Sequence, residues 1–578
     1  MAASEALQRA IQDAQAGRLE AALASVRMLA KRRPDDLEAI AVLGLLLMQA
    51  GQLDQAIHHL LRAVAMAPPL PGPRNNLANA LVNARRHKEA EQHWLKALEA
   101  DPAYARAWMG LAIARTHLHD AAGALQAAER GLALQPDWPE MTRNRAEALA
   151  AADRAEDAAR ALEDAVARHP GHAGLRSNLL MALNYLERPA EEIAAAHREY
   201  ARCVTVPPAP PKADRDPDRP LRIGVLSGDL NGHAVGFFAD AIFRHLPAGW
   251  HVTAFATSAP RPADPVEAGL RGMAGAWCEA AAMDDAALDR AIRERRIDVL
   301  VELGGHTSGG RLGALDRKPA PVIVTAIGYP NTTGHPAVDV RIVDSVTDPA
   351  GAEALCTERL ARIDPCFLCY RPPDDAPEPA MPAADGPITF GSFNLLSKVS
   401  AGTLAAWRGA LDACPGSRLL LKSRNFADPS ARAGLLARAA QAGIAPERVE
   451  IVAFTPGIAE HLALYRRVHV ALDAFPYNGT TTTCEALWMG VPVVTMAGDR
   501  HAARVGASLL RAAGLPELVT ERPEAFAQAA ARLAGDPAHL AALRSGLRDR
   551  LRASPLLDAP GWATRFHGAL REAWRAAK

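Results

Sequence analysis

PAYARAWMGLAIARTHLHDAAGALQAAERGLALQ, residues 102–135, is one unit of a pattern that recurs along the first third of the chain. Proline opens it at Pro102 and returns at Pro136, as it does at Pro34, Pro68 and Pro170, on a constant step of 34 residues. Ala22, Ala56, Ala90, Ala124 and Ala158 keep the same step, and so do Gly44, Ala78, Ala112 and Ala146. A fixed period of this length predicts a helical hairpin, with small residues where its two helices approach closely. Proline lacks an N–H and clashes with the preceding turn, so it stops the second helix of each unit. The step sets about five units over residues 3–172, with a further helical segment capping them to Cys203.

The period is that of the tetratricopeptide repeat. The expected fold is an α-solenoid, in which each unit buries its apolar face only on its neighbours. Such an array has no enzyme core of its own. Its expected role is a groove holding an extended protein or peptide; a spacer or dimerisation arm, and with it a homodimer, is the alternative. Asn75, Asn76, Asn144 and Asn178 recur near one repeat phase. Side-chain amides there would hydrogen-bond a peptide backbone whatever its sequence.

Composition narrows the rest. The chain has 578 residues, 65 Lys+Arg against 65 Asp+Glu, and 49% apolar residues. That is a multidomain globular profile, and zero net charge removes the electrostatic case for a nucleic-acid partner. The stretch MAASEALQRAIQDAQ has no basic region followed by an apolar one, so it does not read as a secretory signal. Ala39–Ala50, the most apolar helical stretch, is too short for a membrane span, which takes about 20 residues. Seven cysteines, none among the first 200 residues, are expected as reduced thiols of a cytoplasmic protein. The lone pair Cys366 and Cys369 reads as buried apolar thiols, since no second pair or histidine partner accompanies it.

Residues 204–220 carry six prolines and read as a stiff boundary. Beyond it come short β-branched runs at 221–229, 250–257, 296–305 and 320–329, with helical stretches between most of them. A second proline-rich break, 371–387, precedes further runs at 388–394, 417–424, 448–454, 469–475 and 491–496, then a long helical tail. Strands alternating with helices predict mostly parallel sheets covered on both faces. Two doubly wound halves in tandem make a cleft, and ligands bind beyond the carboxyl ends of such strands. Neither G-x-G-x-x-G nor G-x-x-x-x-G-K-[ST] occurs, which argues against a dinucleotide oxidoreductase and a P-loop ATPase.

The strongest local signal is DAFPYNGTTTTCEALWMG, residues 473–490. A strand ends, a Pro–Tyr–Asn–Gly turn follows, and Thr480, Thr481, Thr482 and Thr483 open a helix. Helix N-termini offer free N–H groups and a positive dipole end, and threonine hydroxyls add donors, so the stretch reads as a diphosphate site. An ordinary threonine cap is the plainer reading. Glu485, one turn on, would accept from ribose hydroxyls. Lys398, just past the strand ITFGSFN, is the cation best placed to neutralise a leaving diphosphate. His461 opens a helix after 448–454, where its ring would stack on a nucleobase or lie on the helix surface. In the first half, His233 follows LSGDLNG and His306 and Thr307 follow VELGG, both at strand ends. A histidine there serves as base, donor or turn cap. No metal-ligand spacing is present.

Together these pieces resemble the bacterial-type O-linked N-acetylglucosamine transferase family, the tetratricopeptide-bearing nucleotide-sugar transferases. The resemblance rests on the repeats and on LSGDLNGHAVGFF, LGGHTSGGR, PAPVIVTAIGYPNTTG, FGSFNLLSK, PYNGTTTTCEALWMGVPVVTM and DRHAARVGASLL, in that order. It implies two Rossmann-like lobes of the GT-B type, the UDP-sugar held mainly by the C-terminal lobe, and inversion without a metal or other cofactor. The implied divisions are repeats and capping helices at 1–203, linker at 204–220, N-terminal lobe at 221–370, interlobe linker at 371–387, and donor-binding lobe with C-terminal helices at 388–578. By the same resemblance Lys398 stabilises the departing diphosphate, Thr481 and Thr482 bind it beside Thr480, Glu485 binds ribose and His461 packs on the base. His233 matches a general base that is contested in the family, and His306 and Thr307 match a loop facing the sugar. Leu395 departs from a polar residue found before the lysine in many relatives, and Gly457-Ile458-Ala459 lacks the lysine that animal relatives carry near the base.

The resulting expectation is transfer of N-acetylglucosamine from UDP-GlcNAc to Ser or Thr of a protein held by the repeats. Two alternatives accompany it: a GDP-fucose-dependent protein O-fucosyltransferase of the same architecture, and a repeat scaffold with weak catalysis.

Overall fold

The computed structural model describes residues 2–210, 216–261, 263–383, 386–453, 455 and 457–577. Parts of both expected linkers, residues 211–215 and 384–385, lie outside the described residues, as does Phe454 at the end of the expected strand 448–454.

The repeat helices start on the step read from the sequence. One set begins at Leu19, Leu53, His87, Ala121 and Ala155, the other at Leu37, Pro71, Ala105, Pro139 and Ala173. The five prolines each stand two residues past the end of a helix of the first set. Ala22, Ala56, Ala90 and Ala124 are wholly buried, as small contact residues must be. At Gly44 a Cβ would come within 2.5 Å of Leu60 Cγ, which accounts for the one glycine in its series. The asparagines divide. Asn75 turns inward, its Oδ1 accepting from Trp94 Nε1 at 3.0 Å in the core, so it is no groove amide. Asn144 is buried with its Nδ2 lacking a partner among the described residues, and Asn178 Nδ2 donates to Gly174 O at 2.7 Å.

The chain divides into two compact units, Met1–Ala165 and Val166–Lys578. The break therefore falls well before Cys203, where the sequence placed it. Helices Ala173–Leu183 and Ala190–Arg198 keep the repeat pattern but are built into the second unit. Asn184 Nδ2 donates to Tyr329 Oη at 3.0 Å, Arg500 Nη2 to Leu186 O at 2.7 Å, and Gly402 N to Glu187 Oε1 at 2.7 Å.

The second unit holds two parallel sheets. The first consists of β1 (Arg222–Ser227), β2 (His251–Ala256), β3 (Ala276–Glu279), β4 (Val299–Glu302), β5 (Val322–Thr325), β6 (Val340–Val343) and β7 (Arg359–Arg362), in the order 3-2-1-4-5-6-7. The other has β8 (Thr389–Ser392), β9 (Arg418–Lys422), β10 (Val449–Val452), β11 (Val470–Leu472), β12 (Val493–Met496) and β13 (Val519–Thr520), in the order 10-9-8-11-12-13. Each order reverses once, between β1 and β4 and between β8 and β11, and ligands of such sheets bind beyond the strand ends at that reversal. Strands β3, β6, β7 and β13 were not among the expected runs. AWCE and RLAR are part-exposed strands that end in a charged residue, VRIV carries a buried arginine, and β13 has two residues, so none shows a clear apolar run.

The C-terminal helix departs from the expected division. Ala559–Ala576 packs against the first sheet rather than the lobe that precedes it in sequence. His567 meets the Trp250 ring edge-on at 5.6 Å, and Tyr370 N donates to Leu556 O at 2.8 Å. The chain thus crosses from the first lobe to the second and ends on the first.

Candidate functional site

At the reversal of the second sheet, β8 and β11 run parallel with Phe390 opposite Val470, so their carboxyl ends open side by side. Just beyond them stand Asn394 and Asp473, both buried. Asp473 Oδ1 accepts from Ala474 N at 2.8 Å and Gly479 N at 2.7 Å, and Oδ2 accepts from Thr495 Oγ1 at 2.7 Å. These bonds fold the Pro–Tyr–Asn–Gly turn over the carboxylate. Burial raises the Asp473 pKa, and the donors work the other way. Asn478, fully buried, ties the turn further: its Nδ2 donates to Ala474 O at 2.9 Å and its Oδ1 accepts from Gly506 N at 3.2 Å.

Lys398 reaches this turn from the end of β8. Its Nζ donates to Asn478 O at 2.8 Å and lies 3.8 Å from the centroid of the Tyr477 ring. Burial pushes its ammonium down to about 8, against the pull of Asp473. An ammonium has three N–H donors, so this arrangement leaves donors for an anion.

The four threonines divide their labour. Thr480 occupies the N-cap position of helix Thr481–Trp488 with no side-chain cap bond. Thr482 Oγ1 donates to Asn394 Oδ1 at 3.0 Å, and Thr483 Oγ1 to Gly479 O at 3.1 Å, so both are spent on holding the turn. Thr481 Oγ1 is buried and has no partner among the described residues. A buried hydroxyl without a partner, beside the free N–H groups of a helix start, fits an anion.

Glu485, buried one turn into that helix, accepts from His461 Nε2 at 2.9 Å. The opposite ring nitrogen, Nδ1, takes a hydrogen bond from Lys422 Nζ at the end of β9. The imidazole is thereby fixed between a cation and a carboxylate, and burial lowers the lysine pKa against the pull of Glu485. Tyr465 and Phe393 flank it, with ring centroids each 5.9 Å away. His461 is thus neither a free surface histidine nor a bare stacking ring; its plane is set by two hydrogen bonds.

The first lobe presents a different picture. His233 is the N-cap of helix Ala234–Arg244, with Nδ1 accepting from Val235 N at 3.4 Å and Asp229 Oδ2 3.6 Å away. Desolvation, with Arg424 and Arg261 nearby, lowers its pKa against Asp229. In the cap geometry the ring proton sits on Nε2. Base action at Nε2 needs Nδ1 protonated and turned to Asp229. His306 is buried, with Nδ1 2.8 Å from Ser177 Oγ and Nε2 2.7 Å from Thr333 O. Burial, with His197 beside it, pushes it down to about 3. Both ring nitrogens are occupied, which corrects the reading of His306 as a donor contact: it anchors its loop to the helix Ala173–Leu183. Thr307 Oγ1 donates to Gly304 O at 2.7 Å and closes the same loop. Glu302, at the end of β4, accepts from Gly304 N at 2.6 Å and Gly305 N at 2.7 Å, and burial pushes its carboxyl up to about 7.

The structure therefore brings Lys398 and the start of the threonine-opened helix together, with Glu485 of that helix bonded to His461 of the separate helix Ile458–Ala463. It sets His233 in the first lobe and withdraws His306 and Thr307 into loop support. Asn394 and Lys422 were missed in the sequence, and Asp473, Tyr477 and Asn478 were read there only as a strand end and a turn. Their common signal is position, at or just past the carboxyl ends of β8, β9 and β11. Among the described residues no three His, Cys, Asp or Glu side chains are grouped to hold a metal ion. All seven cysteines are free, and burial pushes the Cys366 and Cys369 thiols up to about 12.

Comparisons with known proteins fit this geometry. The family model described as glycosyl transferase family 41 matches residues 199–370 and 380–566. A probable UDP-N-acetylglucosamine–peptide N-acetylglucosaminyltransferase, SPINDLY of Arabidopsis thaliana, is 38% identical over 419 residues, 70% of this chain and 45% of its own. The probable enzyme of that activity called SEC, also from Arabidopsis thaliana, is 27% identical over 367 residues, 61% of this chain and 37% of its own. The chain thus spans less than half the length of these curated relatives. A mutant of the O-GlcNAc transferase of Thermobaculum terrenum superposes with a TM-score of 0.82 at 33% identity, over 88% of this chain and 98% of that one.

Proposed function

The chain belongs to glycosyl transferase family 41, and from that premise we propose that it moves N-acetylglucosamine from UDP-GlcNAc to Ser or Thr hydroxyls of proteins, with inversion and without a metal. The observation that carries this reading is the cluster at the β8–β11 reversal: a lysine with donors to spare, an unpartnered buried threonine hydroxyl and a helix N-terminus. These are the elements that receive a leaving diphosphate.

The acceptor oxygen attacks the anomeric carbon from the face opposite the nucleotide, and the bond from that carbon to the diphosphate oxygen breaks. Negative charge grows on the diphosphate. Lys398, Thr481 and the first N–H groups of helix Thr481–Trp488 take it up, which is electrostatic catalysis by preoriented donors. Glu485 accepts from the ribose, and His461, fixed between Lys422 and Glu485, packs on the base. The hydroxyl proton passes to His233, water or the donor phosphate. Because the cap bond of His233 competes with action at Nε2, His233→Ala is expected to cost less in kcat than Lys398→Ala. The acceptor is held by the repeats.

Calorimetric titration with UDP and with GDP tests the donor. Tight UDP binding, weakened by Thr481→Ala, is expected; tight GDP binding with none for UDP would replace this donor by GDP-fucose.

A further inference from the structure

The lysine at the diphosphate site is held in an unusual way. Its Nζ faces one backbone carbonyl, Asn478 O, and the flat of one ring, Tyr477, at 2.8 and 3.8 Å. The carboxylate in reach is Asp473, and its oxygens are already bonded to two backbone N–H groups and Thr495. A carboxylate clamp would neutralise the ammonium before a substrate arrived. A π face attracts the cation without cancelling its charge.

The ring is itself held. Tyr185 stacks on Tyr477, with centroids 5.3 Å apart and planes at 24°. The Tyr185 hydroxyl lies near Ser397, the neighbour of Lys398, and that serine opposes the rise that burial imposes on the tyrosine pKa. Tyr185 closely follows helix Ala173–Leu183, on the segment that continues the repeat pattern. One aromatic pair thus stands behind the lysine: Tyr477 presents its ring face to the ammonium, and Tyr185 stacks on Tyr477.

We propose that Tyr477 is the positioning residue for Lys398 in sugar transfer, and that Tyr185 fixes Tyr477 in place. This rests on the diphosphate-stabilising role of Lys398. The donor nucleotide touches Lys398; the tyrosines act through it. Loss of the ring face therefore falls on the step in which charge develops, more than on binding of the intact donor.

The test compares Tyr477→Phe, Tyr477→Leu and Tyr185→Leu with Lys398→Ala in the full chain, measuring sugar transfer from UDP-GlcNAc against pH. Tyr477→Phe keeps the ring face and is expected to match the parent. Tyr477→Leu is expected to lower kcat roughly 5- to 30-fold, the rate equivalent of one desolvated cation–π contact, with KM for the donor little changed. Its alkaline limb is expected to move to lower pH, because an ammonium without the ring face loses its proton more readily. Asp473 is the charged group facing Lys398 that remains to oppose that shift. Tyr185→Leu is expected to move kcat and limb the same way by less, and it keeps the inference testable if Tyr477→Leu misfolds. Parental kcat in Tyr477→Leu, or a lowered kcat with an unmoved limb, would overturn the inference. A parental rate in Lys398→Ala would instead overturn the role of Lys398 itself, so the two failures are told apart.

Discussion

Thr481 and Thr482 are adjacent and chemically identical, yet the fold gives them different work. Thr482 bonds Asn394 at 3.0 Å, while Thr481 Oγ1 is buried without a partner among the described residues. Thr481→Ala is therefore expected to weaken UDP binding about 10-fold while changing stability by less than about 0.5 kcal/mol. Calorimetry and chemical unfolding on the same variant check both halves. Gly479 is a second such case. A Cβ there would meet Thr482 Oγ1 at 2.5 Å and Asn394 Oδ1 at 3.0 Å. Gly479→Ala is expected to cost about 1–3 kcal/mol of stability, read as a shifted urea midpoint, and to weaken UDP binding as the turn moves. The threonine run was legible in the sequence because contiguous polar residues at a strand end stand out. Asn394 and Asp473 were not, since their meaning depends on β8 lying beside β11, a pairing between residues 79 apart in sequence.

At the scale of elements, the 34-residue step placed the repeat helices because its signal is periodic and local. The strands of polar or very short sequence escaped notice, and so did the change of partners after Ala165, because a helix that keeps the repeat pattern can still pack on another body. Helices Ala173–Leu183 and Ala190–Arg198 are anchored to the first sheet by buried histidines. His197 Nε2 and the Tyr329 hydroxyl are 2.7 Å apart, and His306 joins Ser177 to Thr333. Burial pushes His197 down to about 4 and His306 to about 3. Both folded values lie below the ordinary histidine value, so the stability they confer is present above about pH 6.5 and is lost as pH falls toward 4 and 3. Melting temperatures measured from pH 7.5 to pH 4 are expected to fall across that window. His306→Asn is expected to flatten the fall, and an unchanged slope would contradict this assignment.

At the scale of the whole molecule, the two lobes are joined by a buried side-chain contact as well as by the crossing chain. Asp348, past β6, lies 2.5 Å from His501 Nδ1 in the second lobe and accepts from Arg341 Nη1 at 3.1 Å. Despite the cost of burial, His501 and Arg341 hold its carboxyl well below the usual range. Asp348→Asn leaves a buried arginine uncompensated and is expected to cost about 3–5 kcal/mol, read by denaturant unfolding. Two tandem parallel-sheet lobes were legible from alternating strands and helices. The return of the final helix to the first lobe was not, because nothing local in its sequence says which body it covers. In the proposed mechanism this frame holds Lys398 where the diphosphate departs. The most direct test is incorporation of radiolabelled N-acetylglucosamine from UDP-GlcNAc into protein, by the parent chain and by Lys398→Ala side by side. Incorporation by the parent and a fall of about 100- to 1,000-fold in the variant are expected; equal incorporation by both, or none by the parent, would contradict the mechanism.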